Sequence, residues 1–218
     1  MKEATGDRVV AFVSELFGGA SLQPPALQGV PSLRFELGGE EFDPWYRWLG
    51  ERWIFDLPGP LSRRKPRVRQ AVDRAATVYE EVFQRDETGF FVAYVWPGEW
   101  ANEDGLLSVL PDDTSVERQP GVNYWGDPDG DDNYTRLAAQ CTPREIEYRS
   151  LFRMLAHDEL GLDPSVSGEI FIVNESRPAI FHMYDDRGAL VYAPSADQLA
   201  PLADAYGPWL VRDHVAPQ

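Results

Sequence analysis

The sequence predicts an α+β domain: a mostly antiparallel sheet of about five or six strands flanked by four or five helices. Three observations carry that expectation. Apolar residues recur at three- and four-residue steps in well-separated stretches, the period of an amphipathic helix. Between them lie short β-branched and aromatic runs with the character of strands. Three such runs follow one another near the C-terminus with only turn residues between them, so a hairpin extended into a three-strand meander is the simplest connection, followed by a terminal helix.

The elements follow in order. Val9, Val10, Phe12, Val13, Leu16 and Phe17 mark one side of a helix from about Asp7, stopped by Gly18-Gly19. Ser32–Leu37 alternates apolar with charged residues as a half-buried strand does. Asp43 followed by Pro44 reads as a cap and first helical position, so a short aromatic helix is expected over Asp43–Leu49. Val68, Ala71, Val72, Ala75, Val78, Tyr79 and Val82 form the stripe of a longer helix from about Pro66 to Phe83. Phe90–Trp96 is continuously apolar and reads as an interior strand. From Glu99 to Asn133 the chain turns acidic and rich in Gly, Pro and Asp with weak periodicity, so an excursion from the core of a single domain is expected.

A strand over Tyr134–Cys141 comes next. Thr142-Pro143-Arg144-Glu145 then has the form of a capping box opening a helix that runs to Leu160 and stops at Gly161. Glu169–Val173, Ala179–Tyr184 and Ala189–Tyr192 are the meander, and Ser195 caps a last helix through Leu199, Leu202 and Tyr206.

Composition narrows function. The chain of 218 residues carries 20 Lys and Arg against 36 Asp and Glu, a formal charge of −16, which argues against nucleic acid as a partner. No apolar run approaches the roughly 20 residues of a membrane-spanning helix, and no apolar segment resembling a secretory signal follows Met1, so no membrane association and a cytoplasmic location are expected. The single cysteine, Cys141, cannot form a disulfide within the chain. The only lysines, Lys2 and Lys65, lack the phosphate-loop context, and no nucleophile-elbow or dinucleotide glycine pattern is present. No cofactor is expected. The acidic run Asp127–Asp132 has carboxylates at alternate positions, but in a calcium-loop frame Asp132 falls where Gly is needed and Ala138 where Glu is needed, so no metal is expected and the run reads as a solvated turn.

Three features remain. Tyr184-Asp185-Asp186-Arg187-Gly188 places a phenol, two carboxylates and a guanidinium at a hairpin end. Such a set binds a polar ligand or works as acid and base if the two carboxyl pKa values are pushed apart. Its other reading is a tight turn whose Arg fixes the register, and His182 beside it is either a base or a hydrogen-bonded core residue. Trp45 and Trp48 lie in the densest aromatic segment, either core or a stacking platform. The basic stretch Arg63–Arg69 opposes the dipole of the helix it opens, so an acidic counterpart within the protein is expected.

Ile170–Asn174, Pro178–Gly188, Trp209-Leu210 and the strand around Arg34–Gly38 resemble a bacterial family known only as domain of unknown function 3885, with Tyr-Asp-Asp-Arg-Gly the most specific piece. The resemblance implies no activity, cofactor or catalytic residue. Two functional readings follow from the residues. One is a non-enzymatic acidic binding protein engaging a basic protein partner, an immunity-type blocker of a basic toxin being its concrete form. The other is a small-molecule or carbohydrate-handling enzyme working through Asp185, Asp186 and Glu36 beside aromatic walls. The candidate binding residues are Tyr184, Asp185, Asp186, Arg187, Glu36, Trp45 and Trp48.

Overall fold

In the computed structural model of the protein, the structure describes residues 4–22, 27–38, 46–49, 52–55, 64–84, 87–96, 102–124 and 133–211, with the backbone alone for 46–49, 52–55, 64 and 133. Five α-helices are present among them: α1 (Thr5–Leu16), α2 (Arg64–Val82), α3 (Glu103–Leu107), α4 (Tyr148–Leu160) and α5 (Ala196–Tyr206). The strands are β1 (Ser32–Glu36), β2 (Tyr46–Leu49), β3 (Arg52–Phe55), β4 (Gly89–Val95), β5 (Val116–Asn123), β6 (Asn133–Cys141), β7 (Gly168–Asn174), β8 (Ala179–Met183) and β9 (Gly188–Tyr192). Seven of them form one antiparallel sheet in the order β1-β9-β8-β7-β4-β6-β5, while β2 and β3 pair as a separate hairpin. The fold is α+β, with a main sheet slightly larger than expected.

The continuous apolar run of β4 is explained by burial on both faces. Phe90, Val92 and Tyr94 pack with Val9 and Val13 of α1 and Phe17 just after it, whereas Phe91, Ala93 and Val95 pack with the layer that holds α2, α4 and α5. A strand in the middle of a sheet covered on both sides has no polar face to show. In the helical layer Tyr79 is fully buried, edge-on to Phe181 at 5.3 Å and Phe152 at 5.4 Å between ring centroids. The β1 edge is closed by the chain after α5, where Leu210 bridges Phe35 and the Val211 N–H donates to the Arg34 carbonyl at 3.0 Å.

Four local expectations are corrected. Residues 46–49 form a strand rather than the end of a short helix, paired with β3 so that Trp48 lies opposite Trp53. Aromatic residues favour a pleated pair at least as well as a short helix, and Asp43-Pro44 lies outside the described residues. The Glu99–Asn133 segment is not wholly an excursion: it supplies α3 and the sheet-edge strand β5. Pro120, the bulge between Gln119 and Val122, and Gly121 at φ 72° account for its weak pattern. The helix expected from Thr142 is split into a 3₁₀ turn over Pro143–Glu145 and α4 from Tyr148, with Thr142 making no side-chain cap bond. Buried Ile146 interrupts it in extended conformation, the Tyr79 hydroxyl donates to the Pro143 carbonyl at 2.6 Å, and the Glu147 N–H donates to the Val109 carbonyl at 2.8 Å. Finally, α5 starts after Ser195 as expected, but the Ser195 side chain makes no cap bond.

The stop at Gly161 stands, with φ 58° and its N–H donating to the Asp158 carbonyl at 3.1 Å. Cys141, at the end of β6, has its thiol pushed up to about 12, chiefly by burial. A thiol that ionises so late stays protonated in mildly alkaline buffer, and the thiolate is the reactive species. A disulfide reagent at pH about 8 is therefore expected to modify Cys141 far more slowly in the native protein than after denaturation. Equal rates would show the thiol to be accessible and ionisable.

Candidate functional site

The β8–β9 hairpin presents the turn singled out in the sequence, and three elements fix it. Strand β1 pairs with β9 so that Glu36 lies opposite Gly188, and the Leu37 N–H donates to the Arg187 carbonyl at 2.9 Å. Arg34 Nε donates to the Tyr184 hydroxyl at 2.9 Å, with its guanidinium 5.4 Å from the Tyr184 ring centre. From α2, Arg67 Nε donates to Asp186 Oδ2, forming an ion pair in which both side chains are buried. A side chain at Gly188 would collide with Tyr184, so glycine there follows from packing.

The two carboxylates are committed to different guanidinium groups. Asp185 Oδ1 accepts from the Arg187 N–H at 2.7 Å, and its Oδ2 accepts from Arg187 Nε at 2.7 Å, closing the turn on itself. Arg187 also reaches Glu159 of α4 at 3.5 Å, and Asp185 holds its guanidinium more firmly protonated than usual. Burial raises the Asp186 carboxyl above its ordinary range, and Arg67 pulls against that rise without cancelling it. Tyr184 is likewise pushed up by burial, with Arg34 opposing. The arrangement locks a turn to a sheet edge and a helix.

His182 is hydrogen-bonded core. Its Nε2 lies 2.6 Å from Glu169 Oε2 and its ring packs on Phe171 with centroids 4.3 Å apart, while among the described residues its Nδ1 finds no partner. Of the other candidates, Glu36 is exposed beside the turn, Trp48 has its backbone in β2, and Trp45 lies outside the described residues.

The basic stretch Arg63–Arg69 finds the internal acidic counterpart expected of it in one place: Arg67 pairs with Asp186, 119 positions away, a partner the linear pattern did not single out. Another positioning residue was not singled out at all. Glu117 accepts from the Gly6 N–H at 2.9 Å, so a carboxylate from β5 caps α1 in place of a local side chain.

Part of the acidity that is not internally matched lies in a second place, while Glu15, Glu36, Asp104, Asp163, Asp197 and Asp204 are exposed elsewhere without an ion pair among the described residues. Asp113, Glu145 and Glu147 line an open cleft of about 590 Å³ with Arg144, Tyr148 and Arg149. Arg144 Nη1 donates to the Gln84 carbonyl at 2.9 Å, and Arg149 pairs with Asp73 at 3.0 Å and Glu80 at 3.4 Å. Asp112, Asp113, Glu145 and Glu147 are exposed and form no ion pair among the described residues. Asp127–Asp132 lies outside those residues. No described helix is long and apolar enough to cross a membrane.

No solved structure gives a significant match to this chain. The uncharacterized protein YnaE of Bacillus subtilis (strain 168) is 29% identical over 76 residues, covering 32% of this chain and 36% of YnaE, so the match spans about a third of each protein. The family model described as Domain of unknown function (DUF3885) matches residues 11–214, well beyond the C-terminal third and the Arg34–Gly38 strand that first suggested it. With the sheet, its helical layer and the locked β8–β9 turn all inside that span, the chain belongs to the DUF3885 family.

Proposed function

We propose that this is a cytoplasmic, non-enzymatic binding protein whose acidic cleft between the α3–β5 loop and the start of α4 docks a basic protein, as an immunity-type blocker of a basic toxin would. The observation that carries the reading is that Asp113, Glu145 and Glu147 line one cleft, with Asp112 next to them in sequence, all four exposed and in no ion pair among the described residues, while the cleft's Arg149 is paired with Asp73 and Glu80 and its Arg144 is bound to the Gln84 carbonyl. Coherent negative potential accelerates encounter with a basic surface and disfavours acidic competitors. The enzyme alternative gains no support from the hairpin, since Asp185 and Asp186 each face an arginine rather than each other's ligand.

The test is capture of a basic protein from the native cytoplasm at low salt with release as salt rises, followed by the double charge reversal Asp113→Lys/Glu147→Lys. Close charge pairs across an interface couple by about 1.5–7 kcal/mol, so the reversal is expected to weaken binding by at least about tenfold, with the melting temperature lowered by no more than about 4 °C by the cation placed at the start of α4. Capture that is indifferent to salt, or a double variant that binds as well as the parent, refutes the reading.

A further inference from the structure

A second cleft has the opposite sign. It lies between α2 and α4, has a volume of about 340 Å³, and carries Lys65 and Arg69 from one helix and Arg149, Arg153 and His157 from the other, with Asp73 its only acidic lining residue. Val68, Val72 and Leu162 complete its lining. The spacing is helical on both sides: 65 and 69 are four apart, as are 149, 153 and 157, so each helix turns one basic stripe toward the other.

Asp73 does not neutralise the group. It is bound to Arg149, which also reaches Glu80, whereas Lys65, Arg69 and Arg153 form no ion pair among the described residues. His157 Nδ1 lies 2.9 Å from the Pro164 carbonyl, leaving Nε2 as the ring nitrogen not held by that contact. Like charges four apart on a helix repel. Those on α2 add to the positive end of a helix whose first turn contains no carboxylate. Lys65, Arg69, Arg149 and Arg153 are exposed, so water screens their mutual repulsion, and in a chain of net charge −16 their grouping at one cleft makes a local positive field open to an anion.

We infer that the α2–α4 cleft binds a small organic anion bearing two or more phosphoryl groups. Several cations around one cavity match a multiply charged ligand better than a single carboxylate. The volume is at the lower end of ordinary small-molecule sites, and the valine and leucine side chains offer a surface for an organic moiety. A long polyanion is disfavoured, because beyond the cleft it would meet the field of the acidic surface. Sites of this kind gain most from bidentate arginine contacts to phosphate oxygens. The site is distinct from the acidic cleft, although Arg149 lines both.

The experiment is calorimetric titration of the full chain with inorganic tripolyphosphate at low salt, alongside Arg69→Ala, Arg153→Ala and the double variant. Binding of one tripolyphosphate per chain is expected, with a rise in melting temperature on addition. Each single variant is expected to lose about tenfold in affinity or more, and the double variant to lose measurable binding, while the ligand-free melting temperatures do not fall. Absence of saturable binding, affinity unchanged in the double variant, or tighter binding of a single-stranded oligonucleotide than of tripolyphosphate would overturn the inference. Neither Arg69 nor Arg153 lines the acidic cleft, so capture of a basic partner by these variants tests the previous proposal separately.

Discussion

Asp186→Ala is expected to destabilise the fold by roughly 3–5 kcal/mol, the range for removing one partner of a buried ion pair. The melting temperature of a chain this size should then fall by roughly 6–20 °C. Arg67 and Asp186 are 5% and 2% exposed, so the substitution takes the Asp186 carboxylate away from a buried guanidinium. It also releases the β8–β9 turn from α2. Replacing both residues by apolar ones of similar volume should recover much of the loss, because the pair's own desolvation disappears with it. Chemical denaturation checks both. A loss below about 1 kcal/mol in the single variant would place Asp186 among exposed pairs.

The same carboxyl gives a pH dependence of defined sign. Its folded pKa lies above the ordinary aspartate value of 3.8, with burial as the main cause. Between the unfolded and folded values the native state holds more protons than the unfolded chain, so this group's contribution to stability falls as pH rises through that window. Comparing the wild type with Asp186→Asn isolates the effect, since asparagine does not titrate. The stability of the wild type relative to the variant is expected to increase as pH is lowered through the window. A relative stability that decreases would mean that attraction to Arg67 outweighs burial.

Phe181→Ala is expected to cost about 3–5 kcal/mol, as for other buried aromatic truncations. Phe181 is 1% exposed on β8, with Tyr79 edge-on and Phe152 tilted at 35°, both at 5.3 Å. It is where the sheet meets α2 and α4 at once, so neither helix can collapse into the void without leaving the other. Phe181→Leu, which retains most of the apolar volume, should lose clearly less. Equal stability of the alanine variant and the parent would show that the layer repacks freely.

The legible parts of the fold were those whose pattern comes from burial. Strand β4 is apolar at every position because both faces are covered, and α2 shows its three- and four-residue stripe because one face packs on the sheet. Strand β5 was not legible for the same reason in reverse: an exposed edge with a proline and a bulge has no reason to alternate. The β2–β3 hairpin shows how a short aromatic run fits either period, and its cap-like Asp43-Pro44 pointed to the wrong one. At the turn, Asp185 and Arg187 could be read locally because an Asp-to-backbone bond spans two residues. Asp186 could not, since its partner arrives from a helix 119 positions away.

By itself the sequence determined the α+β class, the three-strand C-terminal meander and the large acidic excess, all of which depend on local period or simple counts. Only the tertiary structure decided which charges are internal and which are left outward. Arg67 and Asp186 pair within the core, four carboxylates beside α4 form no ion pair among the described residues, and five basic groups converge between α2 and α4. The physical reason is that electrostatic interaction depends on distance and burial in space, and the register of a sheet and the packing of two helices set those distances.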